Sequence, residues 1–168
     1  MRVESEINQS EVKRLLKYCP ESGIFTWAIK PSIGVNCGDV AGTKDTKGYI
    51  NILIKRKRYK AHRLAWIYMK GQMPGWIDHA NGVRDDNRWV NLRECTPQQN
   101  AINAKLRKDS SSGVKGVYWH STAKKWVAQA SCKGKRVSLG RFSSIEGAIA
   151  ARKKYVKENF DLRFYREN

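Results

Sequence analysis

The sequence predicts an α+β protein made of two small antiparallel regions. Three observations predict this class. Residues 76–107 form a pattern of strand, turn-rich loop, strand and helix. Residues 110–168 alternate as three short strands and end in one amphipathic helix. Between them, residues 106–113 (LRKDSSSG) have the composition of a flexible connection.

The composition favours a polyanionic partner. The 168 residues include 33 Lys and Arg against 15 Asp and Glu, which gives a net charge of +18. Hydrophobic residues make up 40% of the chain, enough for packed cores. No apolar run approaches the roughly 20 residues that span a bilayer, and the charged N-terminus lacks the centre of a signal peptide. We expect a cytoplasmic monomer that binds double-stranded DNA, with no membrane and no small-molecule substrate.

The cysteines give no sign of a metal site or a disulfide framework. Cys19, Cys37, Cys95 and Cys132 are far apart and form no Cys-x-x-Cys pair. We expect reduced thiols, and the paired spacing of a zinc site is absent.

The first 75 residues predict a basic supporting region. Residues 9–18 predict a short helix, which the Pro-to-Gly segment 20–23 ends. Residues 24–27 and 49–54 predict strands, and residues 62–69 a second helix that stops at Gly71. We expect a structural or capping role for the histidine at the start of that second helix.

A basic run follows the strand at 49–54. Its members are Lys55, Arg56, Lys57, Arg58 and Lys60. Such a run is either a solvated hairpin tip or a phosphate-contacting tip, and in a chain this basic we expect Arg56, Lys57 and Arg58 to contact DNA.

Residues 76–107 hold the candidate chemistry. Residues 76–79 and 89–95 predict two extended segments around a loop with the turn signal Asn81-Gly82. Thr96 as N-cap, Pro97 at the first helical position and Gln99 in a capping box predict the start of a helix.

This segment resembles the HNH, or ββα-metal, nuclease family. The residues that carry the resemblance are the pair Asp78-His79, Asn91 within Asn-Leu-Arg, and Asn100 on the helix. The resemblance implies that His79 is the general base, with Asn91 fixing its ring, and that Asp78 and Asn100 hold a metal ion. An Asn in place of the more frequent final His favours an oxygen-seeking ion, Mg²⁺ or Mn²⁺, over zinc.

Several neighbours of these residues have more ordinary interpretations. Asn81 and Asn87 are expected to form turns, and Asp85 and Asp86 to be loop carboxylates or caps. Arg93 either contacts phosphate or pairs with Asp78. Because Asp78 and His79 are adjacent on a strand, they should point to opposite faces, so local twisting would be needed to bring both to one phosphate.

The C-terminal strands are predicted at 114–120, 125–132 and 135–139. A second capping box, Ser143 with Glu146, begins a helix that runs to about residue 159. Val117, Trp119, Trp126, Ala128 and Leu139 are among the residues expected on the core face of the sheet, and Arg152 is expected in solvent on the helix.

This region resembles an AP2-type DNA-binding domain. The resemblance rests on Ser-Gly-Val-Lys-Gly-Val at 112–117, Lys-Trp at 125–126, Gly-Lys-Arg-Val-Ser-Leu-Gly-Arg-Phe at 134–142 and the Ala-rich helix. It implies that the exposed sheet face enters the major groove. The contact residues implied are Lys115, Tyr118, His120, Gln129, Ser131 and Arg136.

We therefore predict an N-terminal basic support region at 1–48, an HNH domain at 49–107, a linker at 108–112 and an AP2-like domain at 113–168. Arg107 beside the linker is expected to contact phosphate. The order of the two domains resembles phage and prophage homing-type endonucleases. The alternative is a sequence-selective DNA-binding protein or regulator with a vestigial nuclease site. An RNA-directed protein is disfavoured because RNP-type and KH motifs are absent from the sequence.

Overall fold

The structure is a computed structural model that describes residues 7–73, 75–106, 110–132 and 134–165. The chain divides into two compact units between Glu94 and Cys95. None of the helices in the described ranges is both long and apolar enough to cross a bilayer.

Among its described residues, the N-terminal unit has two α-helices, a 3₁₀ helix at Trp89–Asn91 and three small antiparallel sheets. Its elements in chain order are α1 (Gln9–Leu15), β1 (Leu16–Tyr18), β2 (Phe25–Trp27), β3 (Thr43–Lys44), β4 (Ile50–Ile54), β5 (Lys57–Lys60), α2 (Ala61–Lys70), β6 (Ile77–His79) and β7 (Leu92–Glu94). Strand β1 pairs with β2, β4 lies between β3 and β5, and β6 pairs with β7.

The first predicted helix is shorter than expected. It begins at the Asn8 cap, whose side chain accepts a hydrogen bond from the Glu11 backbone, and it ends at Leu15. The next three residues form β1, because Leu16 and Tyr18 are both buried opposite residues of β2 while the residue between them is exposed. Strand alternation therefore replaces helical periodicity over the last part of the predicted helix.

One hydrophobic core runs through this unit. Val12, Leu16, Ile52, Leu64 and Ile67 are its most completely buried large side chains. The core thus joins residues from the predicted support region 1–48 with residues from the predicted HNH region. The strand β4 and the helix α2 lie close to their predicted positions, and α2 ends as predicted at a glycine in the left-handed conformation.

The C-terminal unit contains a three-stranded antiparallel sheet and two helices. Its elements are α3 (Pro97–Asn103), β8 (Val117–His120), β9 (Lys125–Cys132), β10 (Lys135–Phe142) and α4 (Ile145–Asn159), followed by a 3₁₀ turn at Leu162–Phe164. The strand order is β10-β9-β8, with a bulge in β10 between Ser138 and Gly140. The α4 helix packs on the sheet around Val117, Ala128 and Ala148.

Local signals located the start of α3 correctly. Thr96 accepts a hydrogen bond from the Gln99 backbone, and the Gln99 side chain accepts one from the Thr96 backbone, which completes the predicted capping box. The unit boundary, however, precedes this helix and does not fall at the predicted linker 108–112. Helix α3 belongs to the C-terminal unit because it packs near the 3₁₀ turn and accepts a hydrogen bond from Lys115 at the carbonyl of Ile102.

Three expectations for the C-terminal unit were wrong in detail. The N-cap of α4 is Ser144, whose side chain accepts a hydrogen bond from the Gly147 backbone, and not Ser143. Trp119 is 44% exposed although it contacts Trp126 edge-on, since it lies on the terminal strand β8. Arg152 is buried, because its Nε donates a hydrogen bond to the carbonyl of Lys115.

Candidate functional site

The hairpin of β6 and β7 carries the Asp-His pair. Its register is regular and places Asp78 opposite Arg93 and His79 opposite Leu92. Arg93 donates two hydrogen bonds to Oδ2 of Asp78, from Nε at 2.9 Å and from Nη2 at 2.6 Å. Asp78 is only 5% exposed, so this ion pair is a partly buried one. Of the two predicted roles for Arg93, the structure has the pairing with Asp78.

The His79 ring lies in a buried cluster of aromatic side chains. The His62 ring packs edge-on against it at a centroid distance of 5.0 Å, and the Tyr49 ring lies at 6.1 Å. Burial lowers the pKa of His79 below the ordinary histidine value, against the opposing effects of Asn87 and Asp78. Near pH 7 the imidazole is therefore neutral and able to accept a proton.

Asn87, not Asn91, contacts the imidazole. The Nε2 atom of His79 lies 3.3 Å from Oδ1 of Asn87, while Nδ2 of Asn87 donates to the carbonyl of Asp85 at 3.2 Å. The second bond sets the orientation of the amide and turns its oxygen toward the ring. This orientation favours the tautomer with the proton on Nε2, which would leave the lone pair on Nδ1.

The predicted contact between Asn91 and the ring is therefore corrected. The Asn91 side chain is used by the backbone of the loop between β6 and β7. Its Oδ1 accepts from the Asn81 N–H at 2.9 Å, and its Nδ2 donates to the carbonyl of Asp86 at 2.7 Å. Asn91 is 6% exposed and closes the loop that places Asn87 beside the ring.

The loop carboxylates are structural. Asp86 accepts hydrogen bonds from Nε and Nη2 of Arg88 and from the Asn81 side chain, and the Arg88 bond lowers the pKa of Asp86 to about 2. Asp85 pairs with Lys44 at 2.7 Å. In the described ranges no group of three or more His, Cys, Asp and Glu side chains is arranged to hold a metal ion.

The N-terminal segment supports the same loop from below. The Tyr18 hydroxyl donates to the carbonyl of Asn87 at 2.7 Å, and the Trp89 N–H donates to the carbonyl of Pro20 at 2.9 Å. Gly23, with φ +74°, lies so close that a Cβ there would meet the Asn87 carbonyl carbon at 2.4 Å. A close backbone approach thus requires glycine at this position.

Asn100 and the basic hairpin tip lie elsewhere on the chain. Asn100 is half-buried on α3, in the C-terminal unit. Arg56 is exposed at the turn between β4 and β5, and Lys57 and Arg58 are exposed at the start of β5. Lys55 and Arg56 both have positive φ, at 48° and 67°, in a two-residue turn that usually takes Asn-Gly. Arg107 lies outside the described residues.

The predicted DNA-reading residues are unevenly exposed. Tyr118, Ser131 and Arg136 are exposed, whereas Lys115, His120 and Gln129 are half-buried. Lys115 donates from Nζ to the carbonyl of Ile102, and Nδ1 of His120 accepts from the Ala123 N–H, so both already have partners within the unit.

Sequence reasoning missed two residues of the His79 environment. Asn87 follows two aspartates in a turn-rich loop, a pattern that predicts only a turn. His62 was expected to be structural, yet its ring packs directly on that of His79. No motif with a fixed spacing links His62 and His79 along the chain, so no sequence signal predicted this contact.

One comparison with known proteins supports the nuclease interpretation. A family model described as HNH endonuclease matches residues 59–102, within the predicted segment 49–107. The chain is 32% identical over 83 residues to Protein 3.8 of Escherichia phage T7, an alignment that covers 46% of this chain and 69% of that protein. No solved structure gives a significant match. The prediction of an HNH domain is confirmed, and the AP2 resemblance stays a prediction.

Proposed function

The chain belongs to the family that includes Protein 3.8 of Escherichia phage T7 and contains an HNH endonuclease domain, and from this premise we propose that it is a divalent-metal-dependent DNA endonuclease of the homing type. The proposal includes hydrolysis of a phosphodiester bond, as a nick or a double-strand cut, with the C-terminal sheet selecting the site.

The observation that supports the proposal most strongly is the neutral, oriented imidazole of His79. The residue lies inside the matched HNH segment, and burial keeps its pKa low. In this proposal the Asn87 oxygen accepts a hydrogen bond from Nε2–H, and the lone pair on the other ring nitrogen accepts a proton from an attacking water. After cleavage, the protonated ring returns its proton to solvent.

The proposed ligands are oxygen donors of the kind that a hard divalent cation prefers. HNH nucleases generally use such a metal. We propose Asp78 as the anionic ligand and Asn100 as a neutral oxygen ligand, which suits Mg²⁺ or Mn²⁺. When bound, the metal supplies charge stabilisation at the departing 3′ oxygen. Arg93 already neutralises the Asp78 carboxylate and would share it with the cation.

The charge of the chain supports DNA as the substrate. The net charge of +18 gives strong, salt-dependent attraction to phosphate backbones. We propose two contact surfaces for DNA. One is the basic hairpin tip with the exposed Arg56, Lys57 and Arg58, and the other is the sheet face with the exposed Tyr118, Ser131 and Arg136.

A DNA-binding regulator with a vestigial site is the second candidate. The pairing of Asp78 with Arg93 favours it, because a carboxylate committed to a guanidinium is not available as a metal ligand without a rearrangement. The two candidates share DNA binding and differ in cleavage.

The test is to incubate purified protein with supercoiled plasmid in Mg²⁺ or in EDTA. The nuclease proposal predicts nicked or linear product in Mg²⁺ only, and loss of that product in His79→Ala with gel-shift affinity retained. A wild-type protein that binds plasmid but leaves it intact in Mg²⁺ and in Mn²⁺ would establish the regulator instead.

A further inference from the structure

A cleft of about 960 Å³ lies within the C-terminal unit, beside the sheet. It is lined by residues of α3, β9, β10 and α4. Three of the lining side chains are cationic, namely Lys115, Arg136 and Arg152, and no Asp or Glu belongs to the lining. Polar groups that can donate hydrogen bonds complete it, among them Gln129 and Ser131.

Arg152 stands out in this cleft because its charge is buried and uncompensated. The residue is only 7% exposed. Its Nε donates to the carbonyl of Lys115 at 3.1 Å, but its Nη1 is buried and, among the described residues, has no hydrogen-bond partner. The ion pairs found in the described ranges do not include Arg152.

The surrounding residues hold this guanidinium in a fixed position. Its Cζ lies 5.7 Å from the centre of the Phe160 ring. Gly116 leaves room for it, since a Cβ there would lie 3.0 Å from Nε of Arg152. Burial of a cation without a counter-charge is unfavourable. We therefore expect an anion to bind the fixed guanidinium of Arg152.

We propose that this cleft binds a phosphate group of the DNA backbone, with Arg152 as its anchor. A guanidinium offers phosphate several donors in one plane, and a buried guanidinium binds it more strongly than an exposed lysine does. Arg136, which is exposed at the cleft, adds a second cation. This inference rests on the proposed function for the source of the phosphate. It makes the cleft a clamp on the backbone and not a reader of bases.

The experiment measures DNA binding by full-length protein in EDTA, by fluorescence anisotropy over a series of salt concentrations. Arg152→Met removes the charge and keeps an apolar side chain of similar length against Phe160. Lys154→Met removes one charge from an exposed position of the same helix and is the matched control. We expect Arg152→Met to weaken binding about tenfold or more and to reduce the slope of log Kd against log salt by about 0.9. Lys154→Met should change affinity less than about threefold.

A second arm identifies the source of the phosphate. Inorganic phosphate is titrated against wild type and Arg152→Met in a thermal-shift assay. If phosphate stabilises wild type but not Arg152→Met, the cleft binds a free phosphate group. If phosphate stabilises neither protein but DNA binding still depends on Arg152, the cleft binds phosphate only as part of the DNA backbone. Both results support the proposal. Equal losses of DNA affinity in Arg152→Met and Lys154→Met, with equal responses to phosphate, would overturn it.

A third variant covers a fold defect in Arg152→Met. Arg136 is exposed at the cleft, so Arg136→Met should fold normally. It should weaken DNA binding more than Lys154→Met does and, because Arg136 also belongs to the proposed sheet contact surface, it should also reduce any stabilisation by inorganic phosphate. If it binds like the control, the cleft is not a phosphate site. The plasmid assay separates this proposal from the nuclease proposal. DNA binding that depends on Arg152, without cleavage, would support only the phosphate site. Cleavage that does not depend on Arg152 would support only the nuclease.

Discussion

The loop of the N-terminal unit and the cleft of the C-terminal unit treat buried polar groups in opposite ways. Asp78 and His79 on β6 and Asn87 and Asn91 beyond it are buried, and each has a hydrogen-bond partner within its own unit. In the cleft, Arg152 is equally buried, but one of its nitrogens has no acceptor among the described residues.

This contrast indicates two different roles, orientation of a reacting group in the N-terminal unit and ligand binding in the C-terminal unit. A fully bonded network fixes the orientation of a reacting group in advance, as catalysis requires. A buried cation without an acceptor is completed by a ligand from outside. We therefore propose that the residues around the β6–β7 loop carry out the chemistry and that the C-terminal cleft binds the DNA backbone. The following variants test each side of that contrast.

The largest effect is expected for Asn91→Ala. Two backbone groups of the loop, the Asn81 N–H and the Asp86 carbonyl, lose their partner, which should cost about 2–3 kcal/mol in the free energy of unfolding and nearly all cleavage. Urea denaturation and the plasmid assay measure both. Val90→Ala is the matched control, since the neighbouring Val90 is 87% exposed and should change stability by less than about 0.5 kcal/mol. Equal destabilisation by the two variants would contradict the closed loop.

Asn87→Ala should come next in size. Without the Asn87 oxygen the His79 ring loses its tautomer preference, and cleavage should fall by roughly 10- to 100-fold while DNA affinity stays unchanged. Single-turnover cleavage and gel-shift binding measure the two. Asn159→Ala removes only an exposed hydrogen bond to Tyr155 and serves as the control. Normal cleavage by Asn87→Ala would remove Asn87 from the site.

His62 provides a pH-dependent test of the buried ring cluster. Burial lowers the pKa of His62 to about 3, so the folded state keeps it neutral while the unfolded chain takes up a proton below about pH 6.5. The low pKa of His62 therefore has no effect on stability above about pH 6.5. As the pH falls from there toward 3, it lowers the free energy of unfolding by at most about 1.4 kcal/mol per pH unit. His62→Phe should shrink the difference in unfolding free energy between pH 7.5 and pH 5. An unchanged difference would mean that His62 is solvated.

The smallest effect concerns the basic tip. Lys55 and Arg56 occupy left-handed positions that Asn and Gly adopt more easily. Replacing them together by Asn and Gly should raise the unfolding free energy by about 1 kcal/mol. It should also weaken DNA binding a few-fold, because two cations leave an exposed tip. A variant that gains stability at unchanged DNA affinity would show that the tip is merely solvated.

Local signals explain what could be predicted from the sequence. The capping box at Thr96 and the strand at β4 depend on neighbouring residues, and the structure has both. The alternation predicted for β9 is interrupted, because Val127 and Ala128 are both buried. The HNH interpretation also depended on a short window around Asp78 and His79. Such patterns contain the information in a few consecutive residues.

The missed features depend on contacts between distant residues. Whether Asn87 or Asn91 reaches His79 is decided by the path of the loop, which Tyr18 and Gly23 support from far along the chain. The apolar stripe of α4 predicted that Arg152 is exposed to solvent, but the segment before β8 brings the Lys115 carbonyl to its Nε. The periodicity of α4 carries no information about a carbonyl that lies far away along the chain.

A cleavage titration of two variants tests the division of labour most directly. Supercoiled plasmid is incubated in Mg²⁺ with increasing amounts of wild type, His79→Ala or Arg152→Met. The account predicts that Arg152→Met reaches the wild-type rate at saturating protein, because only its affinity is reduced, and that His79→Ala remains inactive at every concentration while it still binds. Cleavage by His79→Ala at saturation would contradict the assignment of the general base.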